Sequence, residues 1–357
     1  MLKYELYINP KWLRKLNKDI WNDDLVPADL KIGENRYSVK ISYRGNVIRD
    51  KKKKSYRIVF EKPTIVDGAH EIILNAEFID VTMSRNKLSF DLFDRIGVIA
   101  PHSKHVLLYV NGYCKGIYLE IESFDQYLLE KRKLPEGPII YATNNRANFS
   151  LLTKKKELKT RLSQGYTIKF GNTEDLEELE QFIAMINTLS HEEFEKEVPK
   201  VLDINQYLKW VAGVVCTQNY DGFIHNYALY KNGKTQLYEI SPWDHDGTWG
   251  RNIRGRLMEY DYVPFTGYNT LTARLLHLTS FKRKYKDILS NILEQHFNSK
   301  VQEPIINELF ETIKPYMSLD PYITSTPDKI DEEKEVIFDF IQKRNDYIRN
   351  ELTTFIK

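Results

Sequence analysis

The sequence predicts an α+β fold, strand-rich in front and mostly helical behind, with one hairpin set among the helices. Three observations carry this. Period-two alternation of apolar residues recurs between Tyr37 and Ile121. From Thr173 onward apolar residues recur at helical spacing. Between those helices, the strand-like runs 227–230 and 236–240 flank Asn232-Gly233, a strong short-range hairpin signal.

The elements follow in order. Residues 1–36 are mixed, with a helical run led by Pro10 and with Trp12 and Trp21. Residues 37–43 alternate as a strand and end in the turn Arg44-Gly45-Asn46. After the charge run from Asp50 to Lys54, residues 56–60 place Tyr56, Ile58 and Phe60 on one strand face, and 71–74 form another strand. Residues 83–96 carry apolar side chains at 88, 92, 93 and 96, an amphipathic helix. A hairpin pairs 105–110 with 116–121 through Asn111-Gly112, and residues 124–129 open a short helix. Pro135 and Pro138 bracket Glu136-Gly137, a break that sets a boundary between a small lobe of about 1–135 and a large lobe of about 136–357 within one domain. Residues 141–165, with Lys154, Lys155 and Lys156, read as a solvated loop. A helix then covers Leu176 to Ile186. Asp203 is placed to cap a helix over 204–218 with one buried face. Helices over 270–276, 281–297, 303–317 and 328–355 finish the chain.

Composition narrows the function. Hydrophobic residues make up 42% of the 357-residue chain and charged ones 29%, as in an ordinary globular protein. A net charge of +2 supplies no bulk field for nucleic acid. The 23 Tyr and 17 Phe are not interleaved with a basic stripe, so they read as core rather than as a base-stacking platform. No run of about 18 apolar residues is present to span a membrane. The first ten residues lack a basic region followed by an apolar core, so no signal peptide is expected. Cys114, read as lying in a hairpin turn, and Cys216, in a helix, are too few for a disulfide scaffold and fit a reducing compartment.

The chemistry concentrates in residues 218–252. Asp221 stands five positions before Asn226, the D-x-x-x-x-N spacing of a kinase catalytic loop, where the Asp receives the substrate proton and the Asn holds a metal. Asp221-Gly222 is also a common turn, and the spacing alone is weak. The hairpin that follows empties into Ser241-Pro242-Trp243-Asp244-His245-Asp246-Gly247, and an Asp after a strand and near a Gly is where a kinase keeps its magnesium carboxylate. On an extended segment Asp244 and Asp246 would point the same way, about 7 Å apart. His245 reads as a solvent-facing neighbour, since magnesium prefers oxygen, and Trp243 reads as packing. Gly233-Lys234-Thr235 lacks the first glycine of a phosphate loop, because position 228 is Ala.

NYDGFIHNYALY and EISPWDHDGTWGRN, preceded in order by SYRGN, KKSYRIVF, ILNAEF, SRNKLSFDLF and NGYCKGIYLEIES, resemble the CotH family of atypical spore-coat protein kinases, from about Tyr4 to the C-terminus. The resemblance implies a kinase-like two-lobe fold and transfer of the γ-phosphoryl group of ATP to Ser or Thr of Ser-rich coat proteins, with Mg²⁺ or Mn²⁺. It implies location in the spore coat after synthesis in the mother-cell cytoplasm. On the family pattern Asp221 is the catalytic residue. Asp244 takes the main metal role, with Asn226 and then Asp246 beside it. Lys54, with Lys53 next to it, stands at a basic pair suited to phosphate. Arg85 would pair with phosphate or with a carboxylate, and Glu122 would meet adenine and ribose or simply end a strand. Two other classes use the same residues: a catalytically silent coat scaffold and a metal-dependent phosphoesterase.

Overall fold

The computed structural model describes residues 1–61, 64, 66–323 and 327–356. The fold is mixed α and β, and the chain divides into two compact units. One holds residues 1–87, 101–123 and 305–335; the other holds 88–100, 124–304 and 336–357.

In the first unit the strands are β1 (Leu2–Tyr7), β2 (Val26–Ile32), β3 (Asn35–Arg44), β4 (Ser55–Phe60), β5 (Glu71–Asn75), β6 (Ser103–Val110) and β7 (Tyr113–Glu122), with helix α1 (Pro10–Lys18) between the first two. They close a barrel in the order β1-β2-β3-β4-β5-β7-β6. Neighbours run antiparallel except β1 and β6, which are parallel, with Tyr4 opposite Leu108. Alternation decides what fills the interior. Val26, Ala28 and Leu30 of β2, Val39 and Ile41 of β3, and Tyr56, Ile58 and Phe60 of β4 all point into one core with Tyr4, Leu6 and Tyr118. Strands β1 and β2 lie in the stretch read as mixed; Leu2, Tyr4 and Leu6 do alternate there, but over too few residues to stand out beside the Pro10 helix. Asn111 and Gly112 form the β6–β7 turn with φ of 49° and 83°, the mirror-image conformation that suits a two-residue hairpin. The turn is so short that Cys114 falls inside β7 rather than in the turn.

A buried ion pair fastens residues 305–335 to this barrel. Lys53, whose side chain is 2% exposed, donates to Asp320 Oδ2 at 2.7 Å and to the Ile117 carbonyl. The same Asp320 oxygen accepts the Ile117 N–H at 3.0 Å. Gly116, with φ of 85°, leaves room for it, because a Cβ there would come within 2.0 Å of Asp320 Oδ2. A second buried group lies at the start of α2 (Arg85–Arg95). Asp80 accepts the backbone N–H groups of Ser84 and Arg85 at 2.8 Å each and pairs with the Arg85 guanidinium, which also meets Glu333 at 2.9 Å. Burial works against the Asp80 carboxylate, yet the Arg85 guanidinium and N–H, with the Thr82 hydroxyl and N–H, hold its pKa below the ordinary value.

The second unit adds α3 (Gln126–Lys131), β8 (Ile139–Ala142), β9 (Tyr166–Phe170), α4 (Thr173–Thr188), α5 (His191–Glu197), α6 (Ile204–Thr217), β10 (Tyr227–Lys231), β11 (Tyr238–Pro242), α7 (Thr270–His277), α8 (Thr279–Gln295), α9 (Ser299–Ile313) and α10 (Pro327–Thr354), the last two continuing from or into the first unit along the chain. An antiparallel sheet runs β11-β10-β8-β9. The β10–β11 connection spans residues 232–237 rather than Asn232-Gly233 alone, and its left-handed residue is Gln236, with φ of 62°. Asn232 organises it by accepting the N–H groups of Lys234 and Thr235. Helix α6 carries the unit's core. Tyr207, Leu208, Trp210, Val211, Val214 and Val215 are all buried, so the helix is enclosed on most of its circumference. Among the described residues no helix is long and apolar enough to cross a membrane.

Two outcomes follow. Asp320→Ala leaves Lys53 buried without its carboxylate and should cost about 3–5 kcal/mol in urea unfolding, whereas the paired replacement Lys53→Met with Asp320→Leu should recover most of it; equal stability of the single variant and wild type would dismiss the pair as a fastening. Both cysteines are free, and burial pushes the Cys216 thiol up to about 12. Thiol titration of native protein should therefore register Cys114 alone, with Cys216 appearing only on denaturation.

Candidate active site

The candidate residues of the second unit hang from the C-terminal end of α6. Asp203 caps its first turn by accepting the Gln206 N–H at 3.0 Å. Gln206 then grips β11 twice: its amide donates to the Ile240 carbonyl and its Oε1 accepts the Ile240 N–H at 2.8 Å. At the other end Gln218 takes the left-handed conformation, with φ of 59°, that closes a helix, and the chain turns sharply into Asn219.

Asn219 is the residue that assembles the site. It is 3% exposed. Its Oδ1 accepts the N–H of Gly222 at 3.1 Å, holding the 3₁₀ turn Asp221–Phe223. Its Nδ2 donates to the backbone carbonyl of Asp244 at 3.2 Å. One side chain thus ties the turn that presents Asp221 to the backbone that presents Asp244. Asn226 joins them through the sheet. Its N–H donates to the Ala142 carbonyl at 3.2 Å, and its carbonyl accepts the Trp243 N–H at 2.9 Å, one residue before Asp244. From below, Tyr268 donates its hydroxyl to the Tyr220 carbonyl, and Asn269 donates to the Phe223 carbonyl at 3.1 Å.

The segment after β11 is not extended. Asp244 has φ of 54°, and Asn226, which bonds the neighbouring Trp243, has φ of 63°, both in the left-handed region where Asn and Asp are tolerated better than other side chains. The kink breaks strand alternation and reverses two expectations. Asp244 and Asp246 are not successive same-face residues of a strand: Asp244 is exposed and Asp246 half-buried. His245 does not face solvent but is fully buried, packed edge-on against Phe93 at 5.0 Å with Phe90 behind it. Burial pushes its pKa down to about 3, so the imidazole is neutral. Trp243 does pack, edge-on against Tyr141 at 5.3 Å. Further on, Trp249 donates its backbone N–H to the Thr217 carbonyl and its indole N–H to Ser89, fixing the chain that leaves the site.

The remaining candidates belong to the first unit. Lys53 is held by Asp320, as described. Lys54 is half-buried and donates to the Arg49 carbonyl. Arg85 is 1% exposed and engaged by Asp80 and Glu333, so it meets carboxylates. Glu122 ends β7, is 8% exposed, and accepts the His102 N–H at 3.1 Å. Sequence reasoning did not single out Asn219, Gln206, Asp320 or Asp80. Asn219 follows a helix end and precedes Asp-Gly, so a turn role was visible, but its reach to Asp244 is tertiary. Asp320 gives no local signal at all, since its partner is far away in sequence.

The side chains that the sequence singles out for a metal in the second unit, Asp244, Asp246 and Asn226, carry hard oxygens. That set suits magnesium or manganese, which take one or two carboxylates and leave the rest to water and phosphate. Among the described residues no three His, Cys, Asp or Glu side chains cluster as a metal cage.

A family model described as CotH kinase protein matches residues 41–348. The chain belongs to the CotH family. This CotH chain is 46% identical, over 351 residues covering 98% of it and 97% of the relative, to the inner spore coat protein H of Bacillus subtilis strain 168. It is 28% identical over 305 residues, 85% of the chain and 87% of the relative, to the inner spore coat protein H-like protein of the same strain. Among solved structures, a chain from the HipA–HipB toxin–antitoxin complex of Shewanella oneidensis MR-1 with its operator DNA aligns over 100% of this chain and 74% of its own length, with a TM-score of 0.40 and 10% identity. The Helicobacter pylori proinflammatory kinase CtkA aligns over 97% and 95%, with a TM-score of 0.32 and 11% identity.

If Asn219 couples the two segments, Asn219→Ala should speed hydrogen exchange at the Gly222 amide at least about tenfold and cost roughly 1–3 kcal/mol of stability, because that amide and the Asp244 carbonyl lose their partner. Unchanged exchange at Gly222 would remove Asn219 from this role.

Proposed function

We propose that the protein is an ATP-dependent kinase that phosphorylates Ser or Thr side chains of Ser-rich spore coat proteins, and that it resides in the spore coat after synthesis in the mother cell. The observation that carries the reading is the Asn219 tie. It holds a turn bearing a carboxylate beside a second carboxylate and an amide on adjoining backbone, which is the equipment phosphoryl transfer requires. Family membership and the named relatives support it, and a kinase-like arrangement of two lobes follows from the same reading.

The chain's own residues divide the work. Asp221 orients the acceptor hydroxyl and takes its proton as oxygen attacks the γ-phosphorus. A new O–P bond forms, the bond to the β-phosphate oxygen breaks, and ADP leaves. Asp244, Asn226 and Asp246 would hold Mg²⁺ or Mn²⁺, which supplies charge neutralisation between the β- and γ-phosphates. The Asn219 and Gln206 contacts keep these oxygens in place without reorganisation at the moment of reaction. Lys54, and Lys53 if it exchanges Asp320 for phosphate, would serve the phosphates. Arg85 serves indirectly, by ordering the start of α2, and Glu122 would meet adenine or ribose.

Incubation with γ-labelled ATP and a Ser-rich coat protein should transfer label to the protein. Label released as free phosphate would favour a phosphoesterase, and no turnover a scaffold. Asp221→Asn should retain ATP binding in calorimetric titration but lose transfer by roughly 10²- to 10⁴-fold, the range for a positioned general base; transfer near the wild-type rate would defeat its assignment. Asp244→Asn should lose most magnesium-dependent ATP affinity, with unchanged affinity moving that role to Asp246.

A further inference from the structure

A groove of about 590 Å³ lies along the outer face of α7. Its wall is Thr270, Ala273, Arg274 and His277, the i, i+3, i+4 and i+7 positions of that helix. The near end is Tyr268, whose hydroxyl bonds the carbonyl of Tyr220, the residue before Asp221, and whose pKa is raised by burial and then by the neighbouring Tyr220 and Asp221. The far end is chemically different. His277 stacks on His191 of α5 with ring centroids 4.1 Å apart, and both are exposed. Arg274 stands between, its guanidinium 4.7 Å above the Phe194 ring and anchored to the Leu189 carbonyl at 2.6 Å.

Two features indicate what the groove takes. Its lining holds a guanidinium and two imidazoles and no acid. Of the four acids on α5, Glu193 is folded back onto its own cap at Ser190, Glu195 pairs with Ser280, Glu197 pairs with Lys200, and Glu192 is exposed; none of them lines the groove. The cationic and donor-rich end is therefore complementary to an anion. Within that wall Ala273 has a small side chain, which lets a polypeptide backbone approach. Length fixes the spacing. The seven steps from Thr270 to His277 rise roughly 10 Å at 1.5 Å per residue, the span of about three residues of extended chain.

We propose that this groove binds the stretch of a polypeptide substrate beside its acceptor hydroxyl, and that His191, Arg274 and His277 select an anionic side chain three or four residues from that hydroxyl. The inference rests on Asp221 as the acceptor-side residue of the proposed kinase. The anion can be a carboxylate or a phosphate added earlier, and both present oxygens to the same N–H donors.

The test uses the full chain and fluorescently labelled Ser peptides that differ only at the positions three and four residues to either side of the Ser. Those positions carry Glu, phosphoserine, Ala or Lys. Anisotropy titration should show the Glu or phosphoserine peptide binding about tenfold more tightly than the Ala peptide, on one side of the Ser only. Comparing Glu with phosphoserine identifies the source. The double variant His191→Asn with His277→Asn, both at exposed positions, should bring the anionic peptide to the affinity wild type shows for the Ala peptide. Equal binding of all peptides, tighter binding of the Lys peptide, or an anionic preference that survives in a correctly folded double variant would overturn the proposal. The two readings fail separately. Selective binding without label transfer would sink the kinase and leave the groove, whereas transfer without anionic preference would sink the groove alone.

Discussion

Helix α6 is buried along nearly its whole length, so the polar groups at its ends must be satisfied inside the protein. That constraint organises the second unit. Asp203 answers the first turn. At the last turn Arg344, itself fully buried, donates to the Val215 carbonyl at 3.0 and 2.8 Å and also reaches the Tyr260 carbonyl. The Gln218 and Asn219 N–H groups return to the carbonyls of Val215 and Val214, and the Trp249 N–H takes that of Thr217. Each residue that satisfies the helix end is also a point from which the site is hung. The chain before Asp221, the chain after Asp246 and the loop at Tyr260 are all fastened to the same few carbonyls. Placement of the candidate site residues is here a by-product of making a buried helix end affordable.

Much of the fold could be read from the chain because it rests on local patterns. Strands β3 to β7, helices α2 and α4, and the helical finish declare their buried face through spacing, whereas α6, expected to bury one face, is enclosed on most of its circumference. The misses have a common cause. The stretch after Pro242 was read as extended because strands usually continue their alternation. A left-handed residue at Asp244 breaks the strand alternation, and His245 lies buried while Asp244 is exposed and Asp246 half-buried. Backbone handedness at an Asp is not written in the neighbouring residues. Nor was the β10–β11 turn, where Asn232 organises a six-residue connection instead of a two-residue one.

The candidate site was legible as residue types and not as connections. The order Asp, Asn, hairpin, Asp is visible in the sequence, and the structure brings those backbones together. What joins them is Asn219, whose two hydrogen bonds reach 3 and 25 positions along the chain. The four lysines before β4 show the opposite case. They look alike as a run, yet Lys53 is buried in an ion pair and Lys54 is only half-buried. Strand geometry and a carboxylate from residue 320 separate them.

The Lys53–Asp320 pair joins positions 267 residues apart in the chain. The strands that precede Asp320 close the barrel by pairing with one another, β1 and β6 in parallel included, yet the ammonium buried among them takes its counterion from outside their own run of sequence. A fragment holding the seven strands without residues 305–335 would keep every pairing of the barrel and still bury a cation without its carboxylate, which is costly. The barrel is therefore complete as a sheet but not as an electrostatic unit, and no cut between residues 122 and 320 yields it as an independent module.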